Sequence, residues 1–421
     1  MHEDSPRESL YMAELNGRRY RSPARPVVVV CIDGSAPDYI QQGSRDGILP
    51  NIKRFMETGF NAEAEGVIPS FTNPNNLSII TGSPPSVHGI SGNFFLDPKT
   101  GAEVMMNDPA LLRSDTILAE FSRKGAKVAV ITAKDKLLKL LSNGLGDGIR
   151  FSSEKADRCT LDENGIAGVL EYVGMPLPDV YSADLSLFVL RAGIRALERQ
   201  SPNLMYLSLT DYIQHKYPPG TPEANSFYHS LDQAFGLLAN AGALVALTAD
   251  HGMNDKTNPD GSPKVIYLQE FLDHEYGPGR TKVICPITDP YVVHHGSLGS
   301  FVTVFCFNQA ELTLITPLID SLPGVERVLK RDLAAREFEL PPDRIGDIIV
   351  IGDADTVIGS SRTNHDLSAL KDAPLRSHGG LAEQRVPFIL SRPLNEEYAS
   401  IARARRLRNF DIFDFAINGT D

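Results

Sequence analysis

Asp, His and Thr residues recur at five places along this chain in settings that suit divalent-metal chemistry. They are Asp33, Thr72, Asp211 with His215, Asp250 with His251, and His378. Carboxylates and imidazoles gathered together suit Zn²⁺ or a similar divalent ion, and a hydroxyl set among them suits nucleophilic attack on phosphorus. Three of the places close runs that read as buried strands: VVVVCID ends at Asp33, LMYLSLTD at Asp211 and ALVALTAD at Asp250. Ligands of open α/β sheets bind in the crevice beyond the carboxyl ends of the strands. The pattern therefore predicts that remote loops converge on one pocket holding two metal ions.

Each signal also has a plainer structural reading. Asp211 and His215 are four apart, so a helical turn puts both on one face and lets both reach one ion, yet D-x-x-x-H pairs are common in ordinary structure. In Asp250-His251-Gly252, adjacent side chains in a turn diverge, each able to serve a metal, and the glycine permits close backbone approach. Asp33 equally reads as a strand-end residue capping the next turn, and His378, in Ser-His-Gly-Gly, as an exposed loop histidine. Thr72 or Asn73 reads as the N-cap of a helix from about Pro74 to Thr81. That role is compatible with nucleophilic chemistry, because the positive end of the helix dipole and a nearby metal both favour an alkoxide. Lys134 and Lys136, in AVITAKDKLLKLL, lie two apart; on an extended stretch they point to one side and both meet one carboxylate, the alternative being a solvated basic turn. The stations persuade together, not singly.

An alternating α/β pattern must position these residues. Strands are expected over 27–33, KVAVITAK, LMYLSLTD, ALVALTAD and RVPFILS, and helices over NIKRFMETGF, TILAEFSRKG (with a cap near Ser114-Asp115), LSLFVLRAGIRALERQ and NSFYHSLDQAFGLLANAG. Such alternation specifies an α/β fold, a mostly parallel central sheet with helices on both faces. Residues 1–25 are polar and Arg-rich and read as a loose N-terminal arm. The region 258–373 is richer in Gly, Pro and turns, with short strands (SFVTVFCF, GDIIVIGD) and helices (ELTLITPLIDSL, VERVLKRDLAARE), and reads as an inserted α+β cap between core segments 26–257 and 374–421. His294-His295 fall in that insertion and receive no role.

At 421 residues, 42% of them hydrophobic, the chain has ample material for a large core. A formal charge of −12 argues against a nucleic-acid partner. There is no apolar run of membrane-spanning length and no signal-peptide core at the start, so a cytoplasmic protein without a membrane partner is expected. Cys31, Cys159, Cys285 and Cys306 show no disulfide spacing. A homodimer is the base-rate expectation.

The segments VVVVCIDG, PSFTNPNNLSIITGSPPSVHGISGN, LTDYIQHK, LTADHGM and SHGG occur in the order found in the alkaline phosphatase superfamily, which this chain resembles over about residues 27–380. Within it the resemblance is to the phosphonoacetate hydrolases of the nucleotide pyrophosphatase/phosphodiesterase-like branch, on the strength of Lys134 and Lys136 joined to Thr72. The resemblance implies one zinc ion held by Asp211, His215 and His378, and a second by Asp33, Thr72, Asp250 and His251. It implies Asn93, in HGISGN, as a hydrogen-bond donor to a phosphonyl oxygen. It further implies hydrolysis of a small anionic phosphonate, phosphonoacetate, through a phosphothreonine, with Lys134 and Lys136 binding its carboxylate. A nucleotide phosphodiesterase or pyrophosphatase uses the same metals but needs walls for a base, which Tyr39, Phe94, Phe95 and Tyr212 would supply. A metal-binding protein without turnover is disfavoured, because Thr72 offers a nucleophile where a structural site would be closed by a fourth strong ligand.

Overall fold

In the runs Val27–Cys31, Leu204–Ser208, Leu244–Thr248 and Val128–Thr132 every residue is buried. Strands apolar on both faces are stable only where helices cover both sides of the sheet, and that is how the chain uses them. The computed structural model describes residues 11–287, 297–370 and 373–420. It shows an eight-stranded sheet in the order Leu407–Arg408, Phe60–Glu65, Arg385–Leu390, Leu244–Thr248, Val27–Cys31, Leu204–Ser208, Val128–Thr132, Ile149–Ser152. All run the same way except Arg385–Leu390, which is antiparallel to both of its neighbours.

Period-two alternation divides each strand between two cores. Val28 and Val30 face a cluster built with Ile52, Phe188 and Phe235 from the helices Pro50–Thr58, Asp184–Arg199 and Pro222–Asn240. Val27, Val29 and Cys31 face Leu77, Phe121, Leu140 and Phe413 from the helices Thr72–Thr81, Ile117–Arg123, Asp135–Leu141 and Ile412–Asn418.

Register decides where the polar residues fall. Cys31 is aligned with Thr248 on one side and Ser208 on the other, and Ser208 with Thr132. Asp33, Asp250 and Lys134 each stand two residues beyond this row, so four adjacent parallel strands end in one line of polar side chains. The reversed strand contributes from its other end: Phe388 pairs with Thr248, so the loop before Arg385, which carries His378, lies beyond the same edge. The helix Thr72–Thr81 comes after Phe60–Glu65, which points toward that edge as well.

A second sheet, in the order Thr281–Ile284, Phe301–Cys306, Ile348–Gly352, Val325–Lys330, is antiparallel throughout. One face packs on the helices Leu268–Tyr276 and Leu312–Asp320. The other shares a core with Ile68 and Phe71, the turn just before Thr72. This is where the expected helix VERVLKRDLAARE proves wrong. Val325–Lys330 is a strand and only Arg331–Glu337 is helical. VERVLK fits either period, and the unpaired backbone of Ile348–Gly352 decides in favour of a strand. His294 and His295 lie outside the described residues.

Two more expectations need correction. The cap of Ile117–Arg123 is Thr116, whose hydroxyl accepts from Ala119 N at 3.0 Å, not Ser114-Asp115. Residues 12–21, read as part of a loose arm, form the hairpin Met12–Leu15/Arg18–Arg21, docked on the core. Ala13 and Tyr20 are fully buried and Arg18 pairs with Asp411 at 2.8 Å. Gly82 ends the Thr72–Thr81 helix in the left-handed region (φ 62), and a Cβ there would collide with the Tyr20 hydroxyl. Among the described residues no helix is long and apolar enough to cross a membrane. If the hairpin is integral, Tyr20→Ala should lower the unfolding free energy by about 3–5 kcal/mol in urea denaturation. A change under about 1 kcal/mol would return these residues to the status of a loose arm.

Candidate active site

Six of the residues singled out by type and spacing come together at the sheet edge in nearly complete burial: Asp33, Asp211, His215, Asp250, His251 and His378 are each 0–2% exposed. The turn after Leu204–Ser208 closes with His215 N donating to Asp211 O at 3.0 Å, a single helical turn and not the start of a longer helix. It sets His215 Nε2 2.9 Å from Asp211 Oδ2. Gly34 (φ 69) makes room for this turn, since a Cβ there would sit 2.9 Å from Asp211 Cβ.

The three histidines are oriented alike. Their Nδ1 atoms lie within hydrogen-bond reach of main-chain carbonyls, His215 on Arg376 O (2.8 Å), His251 on Gly252 O (2.9 Å) and His378 on Ser70 O (2.7 Å). A carbonyl can only accept, so each Nδ1 carries a proton and each Nε2 is turned inward, the arrangement that metal-ligating histidines adopt. The Nε2 atoms of His251 and His378 face carboxylate oxygens at 3.3 Å (Asp33) and 3.9 Å (Asp211). Asp33 Oδ1, Asp211 Oδ2, His251 Nε2 and His378 Nε2 are buried without a properly directed hydrogen bond. Left so, such atoms cost about 1–3 kcal/mol each; a cation among them removes the cost.

The electrostatics make the same demand. Burial pushes the Asp250 carboxyl up, Asp33 adds to the effect, and it reaches about 8. At His251 burial opposes the charge, but Asp250 and Asp33 outweigh it and raise the imidazole to about 10. At Asp211 burial is overcome by Lys134 and His215, which hold the carboxyl well below its usual range. Burial, with His251 and His215 adding to it, keeps His378 well below the usual imidazole value. This oxygen and nitrogen donor set fits zinc-like ions. By distance the ligand atoms fall into two groups, Asp33–Asp250–His251 and Asp211–His251–His378, each within 4.8 Å. His251 belongs to both and its ring stacks on His378 at 3.6 Å. The first group matches the expected second zinc set without Thr72, whereas the other has His251 where the resemblance implies His215.

Thr72 is the first residue of its helix, and Phe71, not Thr72 or Asn73, is the N-cap. Its hydroxyl is therefore not consumed in capping. Asn76, one turn on, is a participant that spacing does not single out. Its amide NH₂ donates to Thr72 O and to Asp250 Oδ2, both at 3.1 Å, while its oxygen accepts from Tyr206 (2.7 Å) and Ser208 (3.0 Å). A signal for it exists in the sequence: two consecutive asparagines inside a helix that is buried nearly all round. Arg376 is another such residue. It is 3% exposed, bonds Gln214 O and Tyr39 and pairs with Asp255, and its own carbonyl orients His215.

The two lysines part company. Lys134, 4% exposed, places Nζ 2.8 Å from Asp33 Oδ2 and 3.2 Å from Asp211 Oδ1. Lys136 is exposed, because the chain turns into the helix Asp135–Leu141 instead of staying extended, and helix positions two apart diverge. Asn93 is nearly buried; Met106 N donates to Asn93 O, and Met106 O accepts from Asn73, next to Thr72. Of the aromatic residues proposed to wall a base, Tyr39 is buried and stacked on Tyr228 (4.9 Å, 5°), and Phe95 is buried with Arg344 over its ring. Lys216 Nζ lies 4.4 Å from the Tyr212 ring centre. Phe94 is partly exposed.

The shared position of His251 makes a prediction. His251→Ala should strip bound metal from both groups, and His215→Ala at most one equivalent, by elemental analysis after gel filtration. Equal loss in the two variants would mean that His251 is not common to both.

The profile described as type I phosphodiesterase / nucleotide pyrophosphatase matches residues 27–381. Among curated proteins, the chain is similar to an uncharacterized pyrophosphatase/phosphodiesterase of Schizosaccharomyces pombe (24% identical over 271 residues, 59% of this chain and 48% of that protein). It is also similar to human ectonucleotide pyrophosphatase/phosphodiesterase family member 1 (26% over 290 residues, 63% and 28%). The chain thus spans less than half the length of these relatives. Among solved structures, it is similar over 98% of its length, and 99% of the other chain, to phosphonoacetate hydrolase from Sinorhizobium meliloti 1021 in complex with phosphonoformate, at 51% identity and TM-score 0.93. The same enzyme in complex with phosphonoacetate matches at 50% identity and the same TM-score. Murine ectonucleotide pyrophosphatase/phosphodiesterase 5, at 17% identity, 94% and 96% coverage and TM-score 0.64, shares the fold. A match running from the central-sheet strand Val27–Cys31 to the loop after His378 leaves no doubt of kinship: the chain belongs to the type I phosphodiesterase / nucleotide pyrophosphatase family.

Proposed function

We propose that this chain hydrolyses the carbon–phosphorus bond of phosphonoacetate, giving acetate and phosphate. The observation that carries this reading is the buried Lys134 ammonium between Asp33 and Asp211. Breaking a C–P bond sends the electron pair to carbon, and in phosphonoacetate the adjacent carboxylate can take it up if a cation stands beside it. The full-length likeness to a phosphonoacetate hydrolase supports the same reading.

Asp33, Thr72, Asp250 and His251 would hold one zinc ion, and Asp211, His215 and His378 the other, with His251 close enough to both groups that its loss loosens each. Two such ions neutralise phosphonate charge and lower the pKa of a coordinated hydroxyl or water toward about 7. Thr72 Oγ, at the positive end of its helix, attacks phosphorus. As the O–P bond forms the C–P bond breaks, and its electrons spread into the carboxylate as an enediolate beside Lys134, with Lys136 at the outer side. The proton given up by the Thr72 hydroxyl, passed on through solvent, is balanced by protonation at carbon, which gives acetate. Water then attacks the phosphothreonine, releasing phosphate and restoring the hydroxyl. Asn93 donates to a phosphonyl oxygen. Residues 258–373 act as a cap: Pro286 O accepts from Asn93 N (2.9 Å) and Ser300 N donates to His378 O (2.9 Å).

Hydrolysis of a nucleotide diester is the second reading, favoured by the family itself. The burial of Tyr39 and Phe95 and the placement of Lys216 at Tyr212 weigh against it, since they leave few faces on which a base could stack.

Zinc-loaded protein should release phosphate from phosphonoacetate far faster than nitrophenol from a nitrophenyl phosphodiester; the opposite preference overturns the proposal. Thr72→Ala should abolish phosphonoacetate turnover while retaining most of the zinc, and full activity would remove Thr72 as nucleophile. Lys134→Met should cut kcat about 10²–10³-fold, in the range of a lost transition-state donor, whereas Lys136→Met should act mainly on KM. Equal effects in steady-state kinetics would contradict their different placement.

A further inference from the structure

Lys256 and Glu383 are both almost completely inaccessible (0% and 1% exposed), and the chemistry above uses neither. Their ion pair, Nζ to Oε1 at 2.8 Å, lies where three parts of the chain meet. Glu383 Oε1 also accepts from Asn254 Nδ2 (2.6 Å), in the loop after His251. Glu383 Oε2 accepts from Gly380 N (2.9 Å), in the loop of His378. Lys256 Nζ donates in addition to Ala354 O (2.8 Å), just past the second-sheet strand Ile348–Gly352. Main-chain bonds close the arrangement: Gly252 N donates to Glu383 O (2.7 Å) and Lys256 N to Leu375 O (2.7 Å), while Asn254–Asp255 pairs with Arg376–Ser377.

Burying such a pair is costly, and apolar side chains of similar volume often do as well or better for stability. What apolar side chains cannot do is receive three donors from two loops in fixed directions. A carboxylate can, because it accepts at both oxygens, whereas a glutamine in its place must turn an NH₂ toward one of those donors.

We propose that Lys256 and Glu383 are positioning residues that set the His251 loop and the His378 loop in register with each other and with the second sheet, and so fix the stacked His251–His378 geometry on which metal affinity depends. The inference rests on the reading of the cluster as a metal centre. It acts through the loops and requires no contact between either residue and substrate.

The test compares zinc-loaded parent protein with Lys256→Met/Glu383→Gln, which leaves no buried charge and nearly conserves volume, and with Glu383→Asp, which keeps the charge and draws the carboxylate back by one methylene. Each is titrated with a competing chelator to obtain its zinc dissociation constants, and its thermal midpoint is recorded alongside. Zinc binding in the double variant should weaken about 10–100-fold, the usual effect of removing groups that orient metal ligands, and in Glu383→Asp at least severalfold, with thermal midpoints that do not track the loss. Zinc affinity within twofold of the parent in either folded variant overturns the proposal and leaves the pair a structural one. If the double variant does not fold, Glu383→Asp decides alone. A parent protein that holds no zinc sinks the metal reading instead, a result separate from either of these.

Discussion

Three carboxylates, three imidazoles and one ammonium sit within a few ångströms of one another where water scarcely reaches. Charges in such surroundings interact far more strongly than at the surface, and three aspartates repel unless positive charge lies among them. The response of the side chains shows it: Asp250 is driven up by burial and by Asp33, and His251 is driven up by both aspartates. A flexible scaffold would relieve this tension by letting the side chains part. Here they cannot, because most are set at or just beyond the ends of adjacent, fully buried, hydrogen-bonded strands. The architecture is what this concentration of like charge requires.

One detail of topology completes it. A wholly parallel sheet would deliver strand ends to the edge and helices away from it. By running Arg385–Leu390 backwards, the chain brings the loop before a strand, with His378, to the same place. The second sheet closes the arrangement from above. Ile68 and Phe71 belong to its core, so the turn presenting Thr72 is packed by the very element that overlies it. A change of side chain in that shared core would be felt at Thr72.

Much of this is readable in the sequence because the relevant physics is local. VVVVCID, LMYLSLTD and ALVALTAD announce buried strands through composition alone, and Asp33, Asp211 and Asp250 stand out as the first acidic residues at their carboxyl ends. Two of the misreadings, VERVLK and the hairpin, share a cause: a partner remote in sequence. VERVLK is ambiguous until Ile348–Gly352 offers it an edge. Setting Lys136 beside Lys134 assumes an extended chain, whereas the helix starts one residue earlier than that allows. The hairpin at 12–21 looks loose in sequence because its counterpart, Asp411, lies nearly four hundred residues away. Asn76, Arg376, Lys256 and Glu383 act through contacts that no spacing rule encodes, although two asparagines in a buried helix are a cue.

The histidine orientation has a consequence of another kind. Imidazole tautomers in proteins are often set by a carboxylate partner, which a single codon change can remove. In this chain all three are set by peptide carbonyls, those of Ser70, Gly252 and Arg376. An amino-acid replacement does not delete a carbonyl. The proton arrangement at the centre is thus written into the path of the main chain, and lineages can exchange most surrounding residues while inheriting it intact.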